Sequence, residues 1–230
     1  RPLTIGDYAF SASGITAIEL PARVSSLGER LFYNCTGLKT VTFENGFSYG
    51  SIPSYMFSNT AIEEIAIPAS VTTIGSNAFL NAKSLEKVTF GDAEHVSQLY
   101  AIASQAFKGC SALESIEIPA SVYFLGGNIT NGVPALTLTY SSVSVFSGCT
   151  SLEKVTFLGN NIGIIGQNTF EGCTDLRSIN LERLTNLTGI STKAFLNCSS
   201  LQSITIPESV TTLGPNLFQN CTSLRTATVN

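Results

Sequence analysis

Hydrophobic and polar positions alternate in short segments that recur along the chain. The best copies of the recurring phrase are IPASVTTIGSNAFLNAKSLEKVTF (67–90) and IPESVTTLGPNLFQNCTSLRTATV (206–229). Within it, L-x-x-I-x-I alternates β-branched and polar residues, which predicts a short strand with one buried face. The segment V-x-x-I-G-x-x-A-F then directs Val, Ile and Phe inward at turn-like spacing.

The phenylalanine that ends the segment V-x-x-I-G-x-x-A-F recurs in the same register throughout the chain, and we call it the anchor. One unit cannot bury its apolar edge alone, whereas stacked units bury it against each other, so the pattern predicts a solenoid of nine repeats. A glycine precedes the phenylalanine by four residues in five copies, where we expect a bend that needs a permissive backbone. The anchors are Phe10, Phe32, Phe57, Phe79, Phe107, Phe146, Phe170, Phe195 and Phe218, and the glycines are Gly6, Gly28, Gly75, Gly166 and Gly214.

The phrase resembles the BspA-like leucine-rich-repeat family, or Treponema-type repeat, in the motif I-P-x-S-V-T-x-I-G-x-x-A-F-x-x-C-x-S-L. The resemblance covers almost the whole chain. It implies a right-handed α/β solenoid with a parallel concave sheet and a mostly irregular or 3-10 convex side. Family members are largely microbial surface or secreted proteins linked to binding, adhesion and virulence. The resemblance therefore implies a binding module for a protein or host ligand at the cell surface, outer membrane or periplasm.

All six cysteines follow an anchor phenylalanine by three residues, and Ser13, Thr60 and Ala82 occupy that position in the other copies. A position that accepts small residues of either polarity suggests partial burial, where Cys behaves as a small hydrophobe. Equivalent residues on stacked coils point the same way, which predicts free thiols. A disulfide within the consecutive run from Cys149 to Cys221 remains an alternative, because stacked Cα atoms about 5 Å apart are within bridging range.

Composition and motifs give no sign of catalysis, nucleic-acid binding or a membrane span. The 230 residues are 43% hydrophobic and 12% charged with a net charge of −4, and no basic run exists. His95, in the expansion GDAEHVSQLYAIA, is expected in an exposed loop because no nucleophile accompanies it. We expect no enzyme activity, no cofactor and no metal site. The opening RPLTIGDYAF has no signal-peptide pattern, and we expect the sequence to be part of a longer protein.

The outward residues of the predicted strands change from copy to copy, with acids concentrated in the middle repeats. We take this face as a candidate binding surface, and an ordinary solvated face is the alternative. The candidate residues are Glu63, Glu64, Glu86, Lys87, Glu114 and Glu117.

A long insertion separates the fifth and sixth anchors. We expect an N-terminal block of five repeats (1–126), an apolar insertion (127–142) and a C-terminal block of four repeats (143–230), with a break in the stack between the blocks. Ordinary loops are polar, so this apolar segment either folds back over the core or presents a surface for a partner. The candidate contact residues are Tyr123, Phe124, Leu136, Leu138 and Tyr140.

The sequence ends in the strand of its last repeat. An uncovered strand edge recruits partners, so we expect a twofold homodimer through the C-terminal repeats. Self-assembly as the function itself is the alternative to ligand binding. The expected interface residues are Leu224, Arg225, Thr226 and Val229.

Overall fold

The computed structural model describes residues 1–92, 94–127, 129–130, 133–134 and 143–230. Each repeat forms one coil with two strands, which pair in parallel with the equivalent strands of neighbouring coils. Strands are numbered in chain order. The main-sheet strands are β2 (Ala17–Leu20), β4 (Thr40–Phe43), β6 (Glu64–Ile67), β8 (Lys87–Phe90), β10 (Ser115–Ile118), β14 (Lys154–Phe157), β16 (Ser178–Ile179), β18 (Ser203–Ile206) and β20 (Thr226–Val229).

The remaining strands form a second ladder along the stack and one small hairpin. The second-ladder strands are β1 (Leu3–Ile5), β3 (Val24–Leu27), β5 (Ser51–Ile52), β7 (Thr73–Ile74), β9 (Ala101–Ile102), β11 (Phe124–Leu125), β15 (Ile164–Ile165), β17 (Gly189–Ile190) and β19 (Thr212–Leu213). The hairpin pairs β12 (Ile129–Thr130) with β13 (Val133–Pro134) in antiparallel fashion.

The expected solenoid of nine repeats is confirmed, but its α/β class is not. Across the described ranges the only helical element is one 3-10 turn, Leu181–Arg183. The fold is therefore a parallel β-solenoid. Two residues per coil, two positions before and two positions after the anchor, have φ between 38° and 76°. Such left-handed residues interrupt a right-handed helix, which explains why none forms around the anchor.

The anchor rings form the centre of the core. All eight consecutive pairs of anchor phenylalanines stack, with ring centroids 5.1–5.7 Å apart. The seven inner rings are fully buried, while Phe10 and Phe218 at the two ends are partly exposed. Each coil is thus sandwiched between its neighbours, as nearest-neighbour packing of a repeat protein requires.

The repeat glycines serve close packing and not an unusual backbone, so the expected permissive bend is wrong. Gly28, Gly75 and Gly214 do not adopt positive φ. An added Cβ at Gly75 would lie 2.6 Å from the Ser54 backbone nitrogen, a distance that real Cβ atoms do not tolerate. On the first coil of this sequence, a Cβ added at Gly6 would meet nothing within 4 Å.

The stack continues past the insertion on one side and is interrupted on the other. The rings of Phe107 and Phe146 lie 5.5 Å apart, and β10 pairs with β14 over all four residues of each strand. The second ladder, in contrast, has no pairing between β11 and β15, which are both described in full. Pairing also lapses between β3 and β5 and, in the main sheet, between β8 and β10 and between β16 and β18, so this interruption is not specific to the insertion. The break between two blocks, and the division at the insertion, stay predictions.

Candidate binding surface

The six cysteines are structural, and the prediction of free, buried thiols is confirmed. Each Sγ donates a hydrogen bond, 2.9–3.2 Å long, to the backbone carbonyl of the anchor phenylalanine in the preceding coil. Burial raises the pKa of Cys149 to about 12 and that of Cys173 well above its usual value. The thiols of Cys149 and Cys173 therefore stay protonated and unreactive at neutral pH.

Every predicted residue on the main sheet is exposed: Glu63, Glu64, Glu86, Lys87, Glu114 and Glu117. Glu64 and Lys87 open β6 and β8 and are register partners, so their side chains leave the same face next to each other. The buried residues of these strands, such as Ile65 and Val88, point into the core. The alternation that predicted one buried face and one exposed face is confirmed.

Four glutamates stack on consecutive coils directly before the main strands: Glu63, Glu86, Glu114 and Glu153. We call this row the acidic file. Its register is set by backbone hydrogen bonds, from Glu86 N to Glu63 O at 2.8 Å and from Glu153 N to Glu114 O at 2.8 Å.

Basic residues pair with both ends of the acidic file. Lys39 Nζ lies 2.8 Å from Glu63 Oε1, and Arg177 Nη1 lies 3.0 Å from Glu153 Oε1. The hydrogen bond with Glu63 raises the pKa of Lys39. The central pair, Glu86 and Glu114, has no cation within 4 Å in the described part of the chain. The alternation places Lys39, Glu153 and Arg177 on the same outward face, but they were not among the candidate residues, because the pattern does not show which side chains pair across coils.

A groove of about 950 Å³ lies over β4, β6 and β8, and we call it the loop groove. Thr42, Ala66 and Thr89 are among the outward-facing residues that line it. Segment 44–47, which follows β4, and the described residues of segment 91–98 (91–92 and 94–98), which follows β8, form its wall. Small floor residues leave the space open. The second segment is the expansion that contains His95, whose expected exposure is confirmed.

The wall segment 91–98 is held by local hydrogen bonds. Asp92 Oδ1 accepts hydrogen bonds of 2.8 Å from the backbone nitrogens of Glu94 and His95, and it lies 3.0 Å from His95 Nδ1. The bond from Glu94 is the largest of the effects that lower the pKa of Asp92. Backbone bonds from Gly91 to Ile67 O and from Gln98 to Ala69 O attach both ends of the segment to the preceding coil.

Of the apolar candidates, Tyr123 is exposed and Phe124 is half-buried. Both contact Tyr100, with ring centroids 5.3 Å and 5.2 Å apart, and Tyr100 is itself exposed. Sequence reasoning missed Tyr100 because it belongs to the preceding coil. Leu136, Leu138 and Tyr140 lie outside the described residues.

The residues expected at an oligomer interface lie on the last coil. Arg225, Thr226 and Val229 are exposed, and Leu224 is partly buried against the core. Strand β20 pairs with β18 along four residues. Within the described ranges, no helical segment combines the length and apolar character that a membrane span requires.

The family model of the BspA type leucine rich repeat region matches residues 3–137 and 139–230, in six copies. The chain belongs to this family. BspA-type repeats generally form protein-binding modules and not enzymes. A comparison with curated proteins found no significant relative.

Three solved structures share the fold of this BspA-type chain. A leucine rich cell surface protein from Faecalibacterium prausnitzii is 23% identical, with a TM-score of 0.52 over 99% of this chain and 83% of that one. A leucine-rich repeat protein from Eubacterium ventriosum is 19% identical, with a TM-score of 0.56. The pneumococcal vaccine antigen PcpA is 22% identical, with a TM-score of 0.50. In each of these last two pairs, 94% of this chain aligns with 62% of the other.

Proposed function

We propose that this chain is an exported, non-catalytic protein-binding module that acts in adhesion at a cell surface, at the outer membrane or in the periplasm. The observation that carries the proposal is the contrast between the two faces of the main sheet. Buried positions repeat from coil to coil, as Val41, Ile65, Val88 and Ile116 illustrate. The exposed residues directly before the main strands change along the stack, from Lys39 through the four glutamates of the acidic file to Arg177, Gln202 and Arg225, so folding does not dictate these residues. They are available to specify a partner.

Two features make this face suited to a protein partner. The acidic file provides carboxylates at Glu86 and Glu114 that form no ion pair with any residue the structure describes, and an interface of complementary charge orients and selects its partner. The loop groove adds a concave area on the same face. The family and the cell-surface protein with a similar fold support export and surface location.

A direct test uses purified chain on a sensor surface and extracellular proteins of the host niche as analytes. The double variant Glu86→Lys/Glu114→Lys should abolish binding of any partner that uses the main sheet. Its matched control, Glu182→Lys/Glu208→Lys, makes the same change of charge at exposed positions on later coils. Equal loss in both variants, or no loss in either, would count against the main sheet as the binding face.

The aromatic cluster of Tyr100, Tyr123 and Phe124 is a second proposed contact, together with Leu136, Leu138 and Tyr140 of the insertion. Exposed aromatic residues are enriched among those that dominate interface energies. The variant Tyr123→Ala should weaken partner binding, whereas Tyr8→Ala, which removes an equally exposed tyrosine on the first coil, should not.

Self-association through the C-terminal repeats is the other candidate function. Val229 is 65% exposed and Leu213 is 45% exposed on the last coils, which is more apolar surface than most coils present. Sedimentation at tens of micromolar should then reveal a dimer, and Val229→Glu should convert it to a monomer. A wild-type monomer at that concentration would contradict this candidate.

A further inference from the structure

We propose that the loop groove binds an extended, lysine- or arginine-rich protein segment that runs across β4, β6 and β8. This inference rests on the proposed function and gives the partner its chemistry. It is carried by the charge of the groove and by the small residues of its floor.

The charge of the groove is predominantly negative. Its lining includes four carboxylates, from Glu44, Glu64, Asp92 and Glu94, against the single ammonium group of Lys87. These carboxylates belong to three separate elements: the segment after β4, strand β6 and the wall segment 91–98. Carboxylates spread in this way suit a ligand with several cationic groups along its chain better than a ligand with a single charge.

The floor and the wall suit a peptide. Thr42, Ala66 and Thr89 offer short side chains, which leave a shallow trough for a backbone. Val96 on the wall is 87% exposed, the highest value among the large hydrophobic residues of the described chain, and it offers one apolar contact. The hydrogen bonds that Asp92 accepts from the backbone nitrogens of Glu94 and His95 hold its carboxylate in place, which lowers the entropy cost of binding at this position.

The test measures binding of fluorescent peptides by anisotropy at low ionic strength. The probe is a twelve-residue peptide of alternating lysine and serine, and its matched control alternates glutamate and serine. The first should bind and the second should not. Added salt should weaken the complex, because exposed charges are screened. The absence of lysine-peptide binding at low salt would overturn the inference.

Variants then locate the site. Glu64→Gln/Glu94→Gln should weaken the lysine peptide about fivefold, the size expected for two exposed ion pairs. The control Glu182→Gln/Glu208→Gln makes the same change of charge on later coils and should leave affinity unchanged within twofold. Lys87→Glu should strengthen binding, because it removes the cation of the groove and adds an acid. Equal effects of the two double variants would show a response to net charge alone and would overturn the site.

The outcome also separates this inference from the proposed function. One outcome is a protein partner that requires Glu86 and Glu114 without competing with the lysine peptide. That result would support the binding function and contradict a role of the groove in it. Specific binding of the lysine peptide by a chain that binds no extracellular protein would support the groove as a peptide site and contradict the adhesion function.

Discussion

At the scale of single residues, left-handed backbone and close packing between coils occur at different positions of the repeat. Left-handed backbone occurs two residues after each anchor, where five of the nine residues are Asn and three are Gly. Both residue types tolerate this conformation. The repeat glycines lie elsewhere and allow one backbone to approach the next. The glycine four residues before the anchor is therefore a packing residue.

Replacement of Gly75 by alanine should destabilise the protein by about 1–3 kcal/mol, because the new Cβ forces a backbone shift against Ser54. The matched control is Gly6→Ala, at the same repeat position of the first coil. It should be neutral or stabilise by up to about 1 kcal/mol, since it meets no neighbour and restricts the unfolded chain. Urea denaturation gives both values. Equal losses would contradict the close-approach account.

The buried thiols predict a pH dependence of stability. In the unfolded chain a thiol releases its proton near pH 8.5, whereas Cys149 keeps it to about pH 12. Above pH 8.5 the unfolded state binds fewer protons, so the free energy of unfolding falls by about 1.4 kcal/mol per pH unit for each such thiol. The variant Cys149→Ala should show a correspondingly shallower decline between pH 9 and 11. Identical slopes would contradict the assignment. Ala82 shows that alanine fits this position.

At the scale of elements, the regular parts were predictable and the loops were not. The alternation in KVTF and SIEI encodes β8 and β10, and the register of the anchors encodes the ring stack. The left-handed residues two positions before each anchor include Tyr8, Arg30 and Lys193, which share no chemistry that reveals them. The loop groove was not predicted, because its wall depends on hydrogen bonds from the backbone nitrogens of Glu94 and His95 to the Asp92 side chain, which no sequence pattern reveals.

The ring stack should respond to truncation according to position. Phe170 is fully buried between rings at 5.6 Å and 5.3 Å, so Phe170→Ala should cost about 3–5 kcal/mol. Phe10 has one ring neighbour, and Phe10→Ala should cost only about 1–2 kcal/mol. Hydrogen exchange should locate the loosening in the coils next to each substitution. A loss below about 1 kcal/mol for Phe170→Ala would mean that the rings do not form the core.

At the scale of the whole molecule, the question is whether the insertion divides the solenoid energetically. Phe107 and Phe146 stand on either side of it and stack at 5.5 Å. A double-mutant cycle of Phe107→Leu and Phe146→Leu should therefore show a coupling of about 0.5–1.5 kcal/mol. The distant pair Phe32→Leu and Phe195→Leu should be additive within about 0.5 kcal/mol. Additivity across the insertion would favour two independent blocks.

The parallel pairing of coils has a mechanical consequence. Bonds such as Phe57 N to Ala78 O and Phe79 N to Ala106 O join consecutive coils along the stack. Tension between the two ends of the solenoid pulls along these bonds, so the outermost coil should peel away first and the others should follow in turn. Each coil of about 23 residues releases roughly 75 Å of chain. An optical-tweezers trace should show a series of small, similar steps, and a single rupture would contradict this. A solenoid that unfolds coil by coil becomes longer under an applied force while its remaining coils stay folded.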